Sequence, residues 1–283
     1  MASEKEAFDP FSHVVDSSSF EFFETADLHS AIHGIHLPSP ITKFMVMELL
    51  AAGLIIWAFL WVARKIATGQ PPKGKLWNLL ESLLIFIREE VAKPALGEHD
   101  YKRFLPYLWT IFLFILLLNL LGMVPFLASA TASLAVTGTL ALISFCVIHY
   151  NGIVANHGFT GYIKSFIPHV EMDEPIMKLL GPPIVVGMFF LEILGAFIRA
   201  IVLAVRLFAN MLAGHTVLVI ILSFIRIAVF AGANEIVLSG VTVASIGLVV
   251  CLSLLELFVA CLQAFVFTFL TAIFIGLAMH PEH

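Results

Sequence analysis

Glu192, Arg199 and Arg206 stand seven residues apart in an otherwise apolar stretch. At about 100° per residue that spacing returns all three to nearly one face of a helix. Asn210 follows one turn beyond Arg206, close to the same face, and His215 comes just after it. A second polar stripe, Glu256 and Gln263, repeats the spacing of seven near the end of the chain. Charged side chains at the centre of a membrane helix cost about 2.5–3.5 kcal/mol each, so they face protein or water and carry function. An arginine stays protonated at any biological pH. It can therefore attract a deprotonated carboxylate without relaying a proton itself. A carboxylate leaving it must take up a proton before it meets lipid. His215, which titrates near neutral pH when unperturbed, can pass protons together with Glu256, although a buried ion pair can equally be structural only.

Residues facing one another in an antiparallel helix pair have a nearly constant midpoint. Arg206 with Gln263, and His215 with Glu256, both have midpoints near residue 235. The only turn-like interruption between the two apolar stretches, Ala231-Gly232-Ala233-Asn234-Glu235, lies there. The arithmetic predicts a hairpin with Arg206 near Gln263 and His215 near Glu256.

The elements that must position these residues are membrane helices. Of the 283 residues 60% are hydrophobic and 12% charged, against roughly 45–50% and 25% in soluble domains. The acidic residues crowd the first forty positions, so the net charge of −5 describes a tail rather than a surface. Residues 1–40 read as a polar acidic tail and 41–283 as one membrane domain. No cleavable signal peptide is visible, since the amino terminus is acidic and polar. A first crossing is expected at 44–63. Arg64, Lys65, Lys73 and Lys75 follow it, which by the positive-inside rule puts the amino terminus outside and the Gly69-Gln70-Pro71-Pro72 turn in the cytoplasm.

From 75 to 96, Leu76, Leu80, Leu83, Leu84, Ile87 and Val91 recur at helical spacing opposite charged residues, the pattern of an amphipathic helix on the membrane surface or against partner helices. Crossings follow at 104–121 and 134–149, then a polar cytoplasmic loop. The last two stretches, 176–230 and 236–279, would be roughly 84 and 66 Å long as helices. Both are too long for upright crossings, which predicts long tilted helices, with Pro182 and Pro183 breaking the first near its start. The fold class is thus an all-α integral membrane protein of about five membrane helices plus one amphipathic surface helix. Its last two helices form a tilted antiparallel hairpin, and the carboxyl terminus lies in the cytoplasm.

Three sets of residues carry a resemblance: Val205 to His215 (Val-Arg-Leu-Phe-Ala-Asn-Met-Leu-Ala-Gly-His), Leu262-Gln263-Ala264-Phe265-Val266-Phe267, and Asn119-Leu120-Leu121-Gly122-Met123-Val124-Pro125. Together they resemble subunit a of the rotary F-type ATP synthase over roughly residues 40–280. The resemblance implies a stator in the Fo sector of a bacterial inner (plasma) membrane, beside a ring of c subunits. In that family the tilted hairpin supplies two offset proton half-channels, which couple proton transport to rotation and ATP synthesis. It implies Arg206 as the gate between them. With the orientation above, Asn210, His215, Glu256 and Gln263 belong to the outer half-channel and Glu192 to the inner one, with Arg199 and Asn119 as auxiliary residues. Many bacterial relatives carry an acid where His215 stands and a histidine where Glu256 stands. The exchange seen here, as in mitochondrial relatives, keeps one of each. Partners implied are the c ring, b-type peripheral stalk subunits docking on the amphipathic helix, the F1 sector indirectly, and membrane lipid.

Other classes have less to stand on. There is no basic footprint for nucleic acid, no metal-protease, serine-hydrolase or phosphate-loop motif, and no cofactor is expected. ATP chemistry must lie on other chains. His13, His29, His33 and His36 show no recurring ligand spacing, so no metal site is expected. Cys146, Cys251 and Cys261 read as small core residues. Arg226 reads as an interface anchor, and His149, His157 and His169 have no assigned chemistry. A secondary transporter would show an internal repeat, and a haem-binding anchor would show paired histidines on spanning helices. Neither signature is present. The transported ion, the ring size, the direction of flux and the role of the tail are not encoded in these patterns.

Overall fold

A computed structural model describes residues 19–20, 35–36, 42–67, 74–124, 129–165, 175–230, 232 and 234–279. Most of the acidic tail, the Gly69–Pro72 turn, Pro125 and His169 lie outside the described residues, as do the side chains of Glu192 and His215.

The described chain is helical apart from a two-residue antiparallel pairing in the tail, β1 (Ser19–Phe20) with β2 (Ile35–His36). The helices are α1 (Lys43–Ala67), α2 (Lys75–Phe86), α3 (Lys93–Gly122), α4 (Leu134–Ala155), α5 (Phe159–Ser165), α6 (Pro175–Phe230) and α7 (Glu235–Met279). Among the described residues five helical stretches are long and apolar enough to cross a membrane. In α1 and α7 only 17% of the most apolar window is buried by protein. Leu49, Trp57, Ile236, Val243 and Phe258 lie exposed there, a surface that lipid satisfies and water would not. The protein is an all-α membrane protein.

The three cysteines differ from expectation. All are free and exposed rather than core residues, because on a lipid-facing helix a small apolar side chain gains nothing further by turning inward.

α2 runs into α3 through a π-helical turn, Ile87–Ala92, and the helix then breaks at Gly97, whose φ of 74° is left-handed and suits glycine. The stretch from Lys75 to this break is an arm with one buried stripe of Trp77, Ile87, Val91, Ala92 and Leu96. Leu76, which the periodicity put on the apolar face, is instead exposed. Trp77 takes the inward position, and its indole N–H donates to Glu81 at 3.0 Å. On the polar side Glu89 bridges Arg88 at 2.8 Å and Lys93 at 2.6 Å.

Five helices, α1, α3, α4, α6 and α7, contribute to both of two compact units. The first comprises Met1–Ala63, Leu113–Val136 and Leu207–Ala264, and the second Arg64–Phe112, Thr137–Arg206 and Phe265–His283. The first unit has a core of Phe44, Met47, Ala51, Leu118 and Ala130. In the second, the Trp109 indole N–H donates to the Leu84 carbonyl at 2.9 Å, Phe86 packs on Phe265 at 5.5 Å between centroids, and Gly276 meets the Ala95 carbonyl closely enough that no side chain would fit. These contacts fix the arm against α3 and the end of α7.

α4 continues past the apolar run to Ala155. Its end is set not by hydrophobicity but by the Asn156 side chain, which donates to the Gly152 carbonyl at 2.7 Å, and by a turn with positive φ at His157 and Gly158. α6 is helical across Pro182 and Pro183, where a break was expected.

Candidate functional site

Within the first unit, the C-terminal part of α6 and the first part of α7 run antiparallel. Gly214 and Glu256 are the clearest sign of it: a Cβ at Gly214 would lie 2.6 Å from the Glu256 carboxylate oxygen. Their midpoint falls on Glu235, the first residue of α7. Gly214 precedes His215 and Glu256 opposes it, so the glycine admits the carboxylate against the α6 backbone.

The end of α3 joins this pair. The Asn119 side-chain amide donates to the Ala260 carbonyl of α7 at 3.2 Å, and Ala260 lies one turn after Glu256 and just before Gln263. Gly122, one turn beyond Asn119, is in contact with Met211 of α6, the neighbour of Asn210, and with Ser129. Three helices thus converge through close approaches at Gly122 and Gly214, and the polar residues of each come to one region. Asn119 is fully buried, Glu256 is 5% exposed and Gln263 3% exposed.

Buried polar atoms are normally hydrogen-bonded. Here the Asn119 carbonyl oxygen, the Asn210 amide nitrogen, the Gln263 amide nitrogen and the hydroxyls of Ser129 and Thr131 are buried with no hydrogen-bond partner among the described residues. Such groups offer hydrogen bonds that ordered water can complete. Ser129 and Thr131 were not singled out from the sequence. Their signal was the run of small residues Ser129-Ala130-Thr131-Ala132-Ser133, which permits the backbone to approach helices closely.

Arg206 stands on α6 exposed, with no hydrogen bond or ion pair among the described residues. It is the last residue of its segment in the second unit, whereas Gln263 belongs to the first, so the expected Arg206–Gln263 juxtaposition remains a reading of the sequence. Seven residues earlier, the Arg199 guanidinium lies over the Phe274 ring at 5.1 Å and back along its own helix beside Gly195. Glu192 is in α6 and His215 follows Gly214 in α6. No group of three or more metal-ligating side chains occurs among the described residues.

Residues 45–276 match the family model for the ATP synthase A chain. The chain belongs to the ATP synthase A chain family. Among its relatives, ATP synthase subunit a of Chloroherpeton thalassium is 36% identical over 98% of this chain and 79% of its own length. ATP synthase subunit a 2 of Chlorobaculum tepidum is 41% identical over 94% and 71%, and that of Prosthecochloris aestuarii is 40% identical over 95% and 78%. The family makes this A chain a membrane subunit of an ATP synthase complex. All three polar stripes, at Asn119, at Arg206 to His215, and at Glu256 to Gln263, fall inside the matched residues.

Proposed function

We propose that this A chain is the Fo stator that offers two offset proton half-channels to a rotating c ring and thereby couples proton translocation to ATP synthesis. The observation that carries the reading is Arg206: a permanent cation on an apolar helix, exposed, and with no partner among the described residues. An unpaired charge in a membrane is costly, so its counter-charge has to come from another chain. A carboxylate on each c subunit meets that need. When paired to Arg206 it stays ionised, and on leaving it must be protonated from one half-channel before lipid surrounds it. Because the guanidinium does not release its proton, protons cannot pass straight from one half-channel to the other.

In this reading Asn210, His215, Glu256, Gln263 and Asn119 line the outer half-channel. The buried atoms without partners support that assignment, since they offer donors and acceptors to water. Glu192 belongs to the inner half-channel, with Arg199 beside it. The positive residues after α1 support an external amino terminus and a cytoplasmic carboxyl terminus in a bacterial inner membrane. The arm from Lys75 to Leu96 is the docking surface for b-type stalk subunits. ATP chemistry resides in the F1 sector.

The test is ATP-driven acidification of inside-out vesicles containing the assembled complex, native against Arg206→Ala. Loss of pumping at unchanged assembly is the expected result. Pumping at the native rate overturns the reading, and pumping that requires sodium reassigns the ion.

A further inference from the structure

His149 has no role in the path above, yet the second unit builds a site around it. Its Nδ1 and the Tyr162 hydroxyl oxygen are 2.6 Å apart. The contact depends on a local design legible residue by residue. His149 and Gly152 share one face of α4, and Asn156, the first residue past its end, follows at the helical spacing i+7 from His149. The positive-φ turn at His157 and Gly158 reverses the chain into α5 and lays the Tyr162 ring across Gly152. A Cβ at Gly152 would meet that ring at 2.5 Å, so only glycine leaves the notch the phenol fills. Asn156 then ties the turn to the end of α7, donating to the Ala278 carbonyl at 3.1 Å. Tyr162 is 7% exposed and His149 half-buried.

The groups around the imidazole come from three helices. Phe145 of α4 packs edge-on to it at 4.0 Å between centroids, and Phe145 in turn meets Phe197 of α6 at 5.3 Å. Tyr162 of α5 is its hydrogen-bond partner. Arg199, two residues beyond Phe197 on α6, is held over Phe274 of α7. A titratable imidazole bonded to a phenol on one side, and near the α6 face that leads two turns on to Arg206, is built to move protons rather than only to pack.

We propose that His149 and Tyr162 form a two-member proton relay between the inner aqueous surface and the Arg199 face of α6. This rests on the proposed stator function. In the acceptance step a hydronium proton bonds to the Tyr162 oxygen as the phenol's own proton passes to Nδ1, leaving water outside and an imidazolium within. In the delivery step the Nε2–H bond breaks and that proton goes to water on the α6 side, leaving a neutral ring protonated at Nδ1. Exchange of the remaining proton between the ring nitrogens through water resets the pair. Release to the cytoplasm runs the same steps in reverse.

The experiment uses the whole complex in inside-out vesicles, where the medium bathes the inner face. The pumping rate per assembled complex is measured across medium pH of about 6 to 8.5, the range in which an imidazole changes charge. Tyr162→Phe keeps the ring in its notch and removes only the hydroxyl. His149→Gln keeps a hydrogen-bonding side chain that cannot carry the proton. Both are expected to assemble normally and to slow pumping by about 100-fold, the low end of what positioned proton-transfer groups contribute, with the pH profile flattened. Native pumping with an unaltered profile in Tyr162→Phe overturns the relay, as does a loss that merely tracks lost assembly. If Arg206→Ala abolishes pumping while Tyr162→Phe does not, the relay alone fails. If Arg206→Ala pumps normally, the stator reading fails and the relay with it.

Discussion

Substituting Gly214 by alanine tests the convergence of α6 and α7 with one methyl group. The new Cβ would sit 2.6 Å from one Glu256 oxygen, 2.9 Å from its carboxyl carbon and 3.4 Å from Cγ. An ordinary contact begins near 3.4 Å, so the carboxylate has to retreat by about 0.5–0.8 Å while Cγ stays where it is. The displaced atoms are the far end of a flexible side chain, which keeps the cost at the low end of overpacking, about 1 kcal/mol. The complex should therefore assemble. Glu256 is 5% exposed, however, so its carboxylate can move only to a different position in the buried polar region. A proton-passing group displaced by most of an ångström loses up to about 100-fold in rate.

The assay is ATP-driven acidification per assembled complex for the native chain, Gly214→Ala, Glu256→Asp and the double variant. Aspartate is one methylene shorter and vacates the space the methyl needs. The double variant should pump faster than the product of the two single losses predicts, a coupling of about 0.5–3 kcal/mol. Strictly multiplicative losses, or native pumping in Gly214→Ala, would refute the contact between Gly214 and Glu256.

Two further outcomes follow from the same geometry. Gly152→Ala drives a methyl into the Tyr162 ring, a rigid group that cannot fold away; a loss of about 1–3 kcal/mol should appear as a lower temperature for heat-induced loss of the assembled subunit. Asn119→Leu removes the bond to the Ala260 carbonyl and the unpartnered amide oxygen together. It should leave assembly close to native, because replacing a poorly satisfied polar group by an apolar one of similar size is nearly neutral, while slowing pumping; a native rate would take Asn119 out of the path.

The membrane character and the helical fold were legible because both rest on long apolar runs, which are additive along the sequence. The pairing of α6 with α7 near Gly214 and Glu256 was legible for a different reason, since a single turn at Ala231–Glu235 fixes which residues can oppose. The break at Gly97 was not, because a glycine inside an apolar period reads equally as a tolerated helix residue; only its backbone angle distinguishes the two. α5 and the Tyr162 contact were hidden in what read as a polar loop, since a seven-residue helix shows too few turns for periodicity and its one buried side chain depends on the notch at Gly152. Leu76 and Trp77 show the limit of the pattern within the arm: adjacent apolar residues compete for one inward position, and the indole, with Glu81 as its hydrogen-bond partner, takes it.

The break at Gly97 would by itself make a free joint, with the arm before it able to swing against the crossing helix after it. The structure closes that joint from outside. Gly276 lies directly on the Ala95 carbonyl, two residues before the break, and the Trp109 bond to the Leu84 carbonyl holds the arm a second time. Two fixed points on a lever leave it no pivot, so a lateral force applied to the arm is borne as bending of stiff helices and delivered to the last turns of α7. A side chain at position 276 would prise one of these fastenings apart and turn a rigid bracket into a compliant one, which stores an applied load as strain instead of passing it on.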